Sequence, residues 1–411
     1  MTGSGTLLDP YIIYDVNDLQ AMENDLAAYY ELANDIDASA TVGWEGGLGF
    51  DPIGTYKSGQ PQLAFRGNFD GKGYKITDLF INRPTEEYVA LFGYTGLVGG
   101  YGGDMREMKN VGIEDCDITG KDYSIGGLVG FHNHSRTITD CWVTGQVKSD
   151  SSAPVLMGGL AGYADGVITR CHFSGDISIG TTWTFGLFGQ NGGLIGLLGG
   201  GDGISDCYST GTFIGHSTED CEIIGGLVGY NTGAPITRCY STMDLDLEGD
   251  NIYGIGGLIG ENAYPITDCY CRGEVKVNGT LGGNGYVGGF VGYNDSAITN
   301  CYSTGEIITN QVNFIGGFCG GNFGTITDCF WDTQTSGTAT SDGGTGKTTA
   351  QMKKYKTFTG WGFGTIWGIT NACNDGYPCL LDVTASCKWA PYKGNIHIDQ
   401  LIYQHAERMV R

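Results

Sequence analysis

The sequence predicts an all-β chain wound as a single-stranded β-solenoid of about eight to ten coils, with a short N-terminal capping helix and a C-terminal extension. Three observations predict it. A Gly-Gly pair recurs at Gly126/Gly127, Gly158/Gly159, Gly192/Gly193, Gly225/Gly226, Gly256/Gly257, Gly288/Gly289 and Gly316/Gly317, with spacings of 32, 34, 33, 31, 32 and 28 residues. About a dozen residues after each pair comes an Ile-Thr-x-Cys-aromatic group, with Ser205 in place of Thr at one step, whose cysteines are Cys141, Cys171, Cys207, Cys239, Cys269, Cys301 and Cys329. Between these marks the chain alternates apolar and polar residues with period two, and its 73 glycines argue against helical repeats.

The elements divide into residues 1–120 as N-terminal cap and first coils, 121–331 as the repeat solenoid, 332–387 as a closing segment and 388–411 as a tail. In the first part, Leu19, Met22 and Leu26 stand at helical spacing. Asn17 is the predicted N-cap, with Gln20 three residues on, so this helix can close the first coil against water. Asp35, Asp37 and Asp70 are read as turn caps or as holders of a structural cation such as calcium; spacing leaves both open.

Within a coil, alternation puts Cys301, Ser303, Gly305 and Ile307 on the inner face and Tyr302, Thr304 and Glu306 on the outer one. Coils stacked about 4.8 Å apart turn each position into a ladder. Cys116, in Glu-Asp-Cys-Asp-Ile-Thr-Gly, is read as an earlier copy of the cysteine step, which makes eight visible coils. Corner glycines are expected to supply positive φ or close backbone approach. Asn231, Asn262, Asn294 and Asn322 form a further column, expected to cap backbone groups and stack amides; its earlier steps are His132, Ala164 and Leu198.

The run Ile224 to Asn231, Ile-Gly-Gly-Leu-Val-Gly-Tyr-Asn, and its copies at Ile255 to Asn262 and Val287 to Asn294 resemble the GLUG motif. That motif is found in β-solenoid segments of large bacterial surface proteins, adhesins, some immunoglobulin A peptidases and phage proteins. Gly5 to Gly73 resembles the leader that precedes such repeats, and Phe330-Trp331-Asp332 through Tyr377-Pro378 resembles their closing segment. The resemblance implies the architecture strongly and the function weakly.

Forty-five acidic against 22 basic residues, net −23, exclude phosphate-directed nucleic-acid binding and docking on anionic membrane. No stretch has the roughly 18 to 20 apolar residues that span a bilayer. The N-terminus lacks the basic start and apolar core of a signal peptide, which leaves trimming or another route to the outside, such as virion assembly. Of 14 cysteines, those at the repeated position read as small buried hydrophobes or as bridges between coils, while Cys373 and Cys379 form the expected disulfide.

The candidate site is the outer column after each cysteine: Trp142, His172, Tyr208, Tyr240, Tyr270 and Tyr302, continued by Phe330, flanked by Thr210, Thr242 and Thr304. Aromatic rings beside hydroxyls and carboxylates suit sugars, which makes this a glycan-contact ladder. The alternative is a ladder that only covers the solenoid. No His-Glu-x-x-His is present, His132 and His134 read as a solvated loop pair or as metal ligands, and Gly343 to Thr348 is a false phosphate loop that opens no helix. Arg272, Glu274 and Glu306 are the one enzyme candidate; no catalytic residue, metal or cofactor is assigned.

The tail, Lys388 to Arg411, carries four basic and two acidic residues (net +2), against 18 basic and 43 acidic (net −25) before it. Ile398, Leu401, Ile402, His405 and Met409 stand at helical spacing, so the tail reads as a docking segment to a larger assembly or as a cap on the last coil. The expected function is a non-enzymatic structural or attachment protein on an extracellular or virion surface, a phage decoration or fibre element that binds glycans or partner proteins. A bacterial adhesin is the second reading, a polysaccharide lyase or glycoside hydrolase the third, and homo-oligomerisation stays open.

Overall fold

The computed structural model describes residues 1–96, 107–121, 123–149, 155–180, 189–216, 222–310 and 314–384. The chain is a β-solenoid of two long parallel sheets facing one another across one continuous apolar core. Each coil contributes a strand such as Val228–Asn231 to the first sheet, turns a corner, and contributes a strand such as Tyr208–His216 to the second. The seven Gly-Gly corners bound six regular turns, fewer than the expected eight to ten coils. Parallel pairing continues into less regular coils at either end, where the corner has other residues.

Two corners make a coil. At the Gly-Gly corner neither glycine has a positive φ; what it supplies is space. A Cβ on Gly226 would lie 2.1 Å from the carbonyl oxygen of Gly257 in the next coil, and one on Gly225 would lie 1.9 Å from that of Val228. Backbone meets backbone there, and Gly226 N–H donates to Gly256 O at 3.1 Å.

The left-handed turn sits at the other corner, on the x of Ile-Thr-x-Cys. Asn110, Asp140, Arg170, Asp206, Arg238, Asp268, Asn300 and Asp328 all have φ between 50° and 57°. Asn and Asp tolerate this conformation through local hydrogen bonding, whereas Arg does not. Both arginines are held by the preceding coil: Arg170 grips Asp140 at 2.6 and 2.7 Å, and Arg238 grips Asp206 through Nε at 2.6 Å and through Nη2.

The inner cysteines are buried free thiols, each pointing at the carbonyl two residues back, as Cys301 does to Thr299 O at 3.2 Å. Cys116 is not the eighth step of this ladder. Trp142 pairs with Gly112, and its N–H donates to Val111 O, so Val111 holds the cysteine position while Cys116 lies opposite Gly145. The asparagine column forms as expected, with amide-to-amide bonds of 3.0, 2.9 and 2.8 Å from Asn231 through Asn262 and Asn294 to Asn322. His132, Ala164 and Leu198 are its earlier steps in register.

At the N-terminus, α1 (Val16–Gln20) runs into a tight turn at Ala21–Asn24. Its cap is Asp15, which accepts from the N–H of Asn17 and Asp18, and not Asn17. Leu19 and Met22 close the core end. Among the described residues no helix is long and apolar enough to cross a membrane.

One core position breaks its own column. Ile125, Met157, Asn191, Ile224 and Ile255 stack in register, and Asn191 is fully buried with neither amide atom bonded among the described residues. An unpaired buried amide costs about 1–3 kcal/mol. Asn191→Ile should therefore raise unfolding stability by about 1–3 kcal/mol, whereas Gly226→Ala should lower it by about 1–3 kcal/mol through overpacking. Denaturant midpoints followed by circular dichroism check both, and equal midpoints would refute the packing account.

Candidate functional site: a covered aromatic column

Parallel pairing brings the predicted outer column together residue by residue, from Trp142 through His172, Tyr208, Tyr240, Tyr270 and Tyr302 to Phe330. Successive ring centroids are 6.4, 4.4, 4.8, 4.8 and 5.1 Å apart as far as Tyr302, with interplanar angles of 9° or less. The rings lie flat on one another along the solenoid axis. Their π faces are engaged by neighbours, and only ring edges look outward. Trp142, the first of them, lies against Gly112, where a Cβ would meet its ring at 2.2 Å. Sugar stacking needs a free face, so this geometry offers a glycan no stacking platform.

Half of the column is also covered. After the strand Thr345–Lys347, Thr348 caps a one-turn helix, α2 (Thr349–Met352), so the glycine-rich segment before it does open a helix, though one of four residues. The chain then folds back along the outside of the second sheet. Met352, Phe358, Trp361, Trp367, Tyr377 and Leu380 pack on Tyr240, Tyr270, Tyr302 and Phe330 as a second apolar core. Tyr270 and Tyr302 have no exposed surface, and Thr304 is buried. Trp142, His172, Tyr208, Thr210 and Thr242 remain half-buried.

Polar groups fix this closing segment. Tyr302 donates to Pro378 O at 2.5 Å and accepts from the Asn374 amide at 2.7 Å. Tyr270 shares a hydrogen bond of 3.0 Å with Thr384, Trp367 donates to Asp268 at 3.0 Å, and Tyr377 donates to Asp332 at 2.8 Å. Arg272 bonds Asn374 at 2.5 Å and Asp375 at 2.8 Å, and its guanidinium lies 4.9 Å from the Tyr377 ring centre. That grip lowers the Asp375 carboxyl below its usual range. Arg272 is thus a clamp, bonded to Thr304, Asn374 and Asp375. Cys373 and Cys379 stand sulfur to sulfur, both buried, at the neck of the loop that Arg272 holds.

The remaining candidates fall partly within and partly outside the described residues. His132 is fully buried in a strand and shares a 2.8 Å hydrogen bond with Thr95 Oγ1, in place of a solvated loop. The His134 side chain lies outside the described residues, as do Ile398, Leu401, Ile402, His405 and Met409. Asp37 and Asp70 cap turns by accepting from the backbone N–H of Ser39 and Lys72 two residues on, whereas Asp35 accepts from the N–H of Lys75 in the neighbouring coil. Asp70 also lines a small cavity of about 110 Å³ with Tyr29, Glu31, Asn68 and Lys109. Among the described residues no group of three or more His, Cys, Asp or Glu is placed to hold a metal ion.

The charged corner ladder and the folded-back segment were missed from sequence. The signals were there: x alternates Asp140, Arg170, Asp206, Arg238 and Asp268, and residues 358–367 crowd two Trp and two Phe behind the last repeat.

With the corner and ladder geometry in place, the model of one family, described as "The GLUG motif", matches residues 154–178, 220–246 and 283–309. Each span holds one Gly-Gly corner and one ladder cysteine. These repeats are GLUG motifs. Over 163 residues, 39% of the chain, the sequence is 35% identical to halomucin of Haloquadratum walsbyi. Over 130 residues, 31% of the chain, it is 34% identical to a protein of Evansella cellulosilytica with the provisional name Gly-rich membrane protein. The matches span 2% and 14% of the lengths of these relatives. A crystal structure from Bacteroides ovatus, described provisionally as an immunoglobulin A1 protease, superposes with a TM-score of 0.55 over 92% of this chain and 94% of that one at 18% identity, a likeness of fold alone.

Stacking inside the GLUG column has a consequence for pH. Burial between Trp142 and Tyr208 lowers the His172 pKa to about 4 from 6.5. The unfolded chain therefore binds the extra proton first, and stability present above about pH 6.5 is lost as the pH falls towards 4. His172→Tyr, which continues the Tyr column, should flatten the dependence of the melting temperature on pH in that window. An unchanged slope would place the acid sensitivity elsewhere. Loosening of the closing segment is the second expectation: reductant or Arg272→Ala should free the segment around Trp361 and Trp367, read as a red shift of tryptophan emission, with the parallel sheets retained by circular dichroism.

Proposed function

We propose that this chain is a surface-displayed, non-enzymatic structural or attachment solenoid, carried on the cell envelope or released from it. The observation that carries the reading is the identity of 34–35%, over 163 and 130 residues, to proteins named halomucin and Gly-rich membrane protein. The architecture fits the role. In-register strand pairing makes a stiff body whose outer columns are repeated along its length, and the excess of acidic groups keeps such bodies apart in solution.

Two finer readings belong to this proposal. Display on a cell as an adhesin is favoured over decoration of a phage particle, because the named relatives are cellular. Contact with partners or glycans would go through hydroxyl and carboxylate columns, such as Thr210 bonded to Ser174 at 2.9 Å and Thr212 bonded to Asp176 at 2.5 Å, since the ring faces are occupied. The non-enzymatic reading is supported by the bonds that tie Arg272 to the closing segment.

Antibody raised against the solenoid should label the envelope of intact source cells in electron microscopy. Label confined to phage particles would replace the cell with the virion. Oligosaccharide released from a glycan panel, and lost on Glu274→Gln, would sink the non-enzymatic reading. The acidic surface adds a solution test: shortening the screening length from about 10 Å at 0.1 M salt to about 3 Å at 1 M should raise the melting temperature, because 45 acidic groups against 22 basic ones leave net repulsion to be screened.

A further inference from the structure

The closing segment covers the aromatic column only in part. Phe358 packs on Phe330 and Tyr302, Trp367 on Tyr302 and Tyr270, and Thr384 bonds the Tyr270 hydroxyl. After Trp367 the chain returns to the last coils, where Tyr377 bonds Asp332 and Pro378 accepts from Tyr302, and its last described residues end on the Tyr270 coil through Thr384. Tyr240 is still 95% covered, whereas Tyr208, His172 and Trp142 present partly exposed ring edges that continue the same strip.

We infer that the tail, residues 388–411, is the occupant of this uncovered end, docking in cis along Tyr208, His172 and Trp142. Three observations converge on that segment. The strip is continuous with an interface already formed by the residues just before the tail. The reach suffices: from the Tyr270 coil to the Trp142 coil is four steps of about 4.8 Å, roughly 19 Å, and the 27 residues after Thr384 (411 − 384) cover that distance even at about 1.5 Å per residue. The charges are complementary, since the tail is net +2 and the body net −25. Asp176 and Asp244 stand exposed beside the strip, and Glu114 accepts from Trp142 Nε1 at 3.2 Å at its far end. Ile398, Leu401, Ile402 and Met409 supply the apolar side chains that ring edges need, and Lys388, Lys393, Arg408 and Arg411 the cations. The inference is independent of where the protein is displayed.

Hydroxyl-radical footprinting of the whole chain tests it, with Trp361 and Trp367 as covered controls. In a chain ending at Thr384, oxidation of Trp142, His172 and Tyr208 should rise at least threefold while the controls stay constant. The full-length variant Ile398→Asp/Leu401→Asp/Ile402→Asp should give the same rise, which separates loss of docking from any effect of shortening. Equal oxidation in all three proteins overturns the inference. Protection that appears only as protein concentration rises assigns the strip to a second copy, and protection that needs added envelope material assigns it to a partner; either result also overturns docking in cis.

Discussion

Strand pairing at one fixed distance, in register, coil upon coil, is the constraint from which the rest of this molecule follows. At about 4.8 Å between coils every residue has its own counterpart above and below, so a choice made once is repeated or punished along the axis. The Gly-Gly corner is the sharpest case. The carbonyl of one coil fills the volume a Cβ of the next would need, 2.1 Å from Gly226 and 2.3 Å from Gly257. The pairs are retained for contact, and the backbone freedom of glycine is not used there. The strained φ falls on Asp, Asn and Arg at the opposite corner, where side chains can hold it. Alternation of Asp140, Arg170, Asp206 and Arg238 turns that corner into a register lock, because a slip by one coil would set like charges together.

Stacking also decides what the outer columns can do. An aromatic residue repeated at this spacing has a ring as its nearest neighbour, so its faces are satisfied by its own kind before any ligand arrives. What remains is an apolar edge strip, and the protein covers it with its own closing segment. Arg272 shows how the cover and the solenoid are matched. It stands where the Thr column would place a hydroxyl, and there it reaches Asn374, Asp375 and the Tyr377 ring at once. One departure from the repeat marks the place where a non-repeating segment is held.

Much of this was legible in the sequence, and what was not has physical reasons. Period-two alternation and the Gly-Gly spacing gave the solenoid, the buried cysteines and the column from Trp142 to Phe330, because those signals are local and repeated. Equivalence of His132 with Asn231 was readable by counting, but its burial was not: alone, a histidine two residues from another reads as a loop pair, and only the Thr95 hydroxyl opposite explains it. Cys116 misled because residue type was trusted over register, while Val111 fills the position with a buried apolar side chain and no thiol. The folded-back segment was the largest omission. Its contacts join residues about 100 apart, such as Trp367 with Asp268, and no periodic pattern encodes an interaction that happens once.

The thiols follow from the same packing. Ten described cysteines are free and buried in a solenoid whose relatives carry the names of surface proteins. A thiol reacts as thiolate, and burial opposes that charge, raising the pKa of Cys171, Cys239 and Cys301, while hydrogen bonds from neighbouring thiols lower those of Cys207 and Cys269, which lie between them. The ladder cysteines stand inside the core as small buried side chains, away from solvent. The opposed pair lies elsewhere, at Cys373 and Cys379, where the closing segment has no ladder to hold it. Repetition stabilises the body, and the paired sulfurs sit in a closing segment that does not repeat.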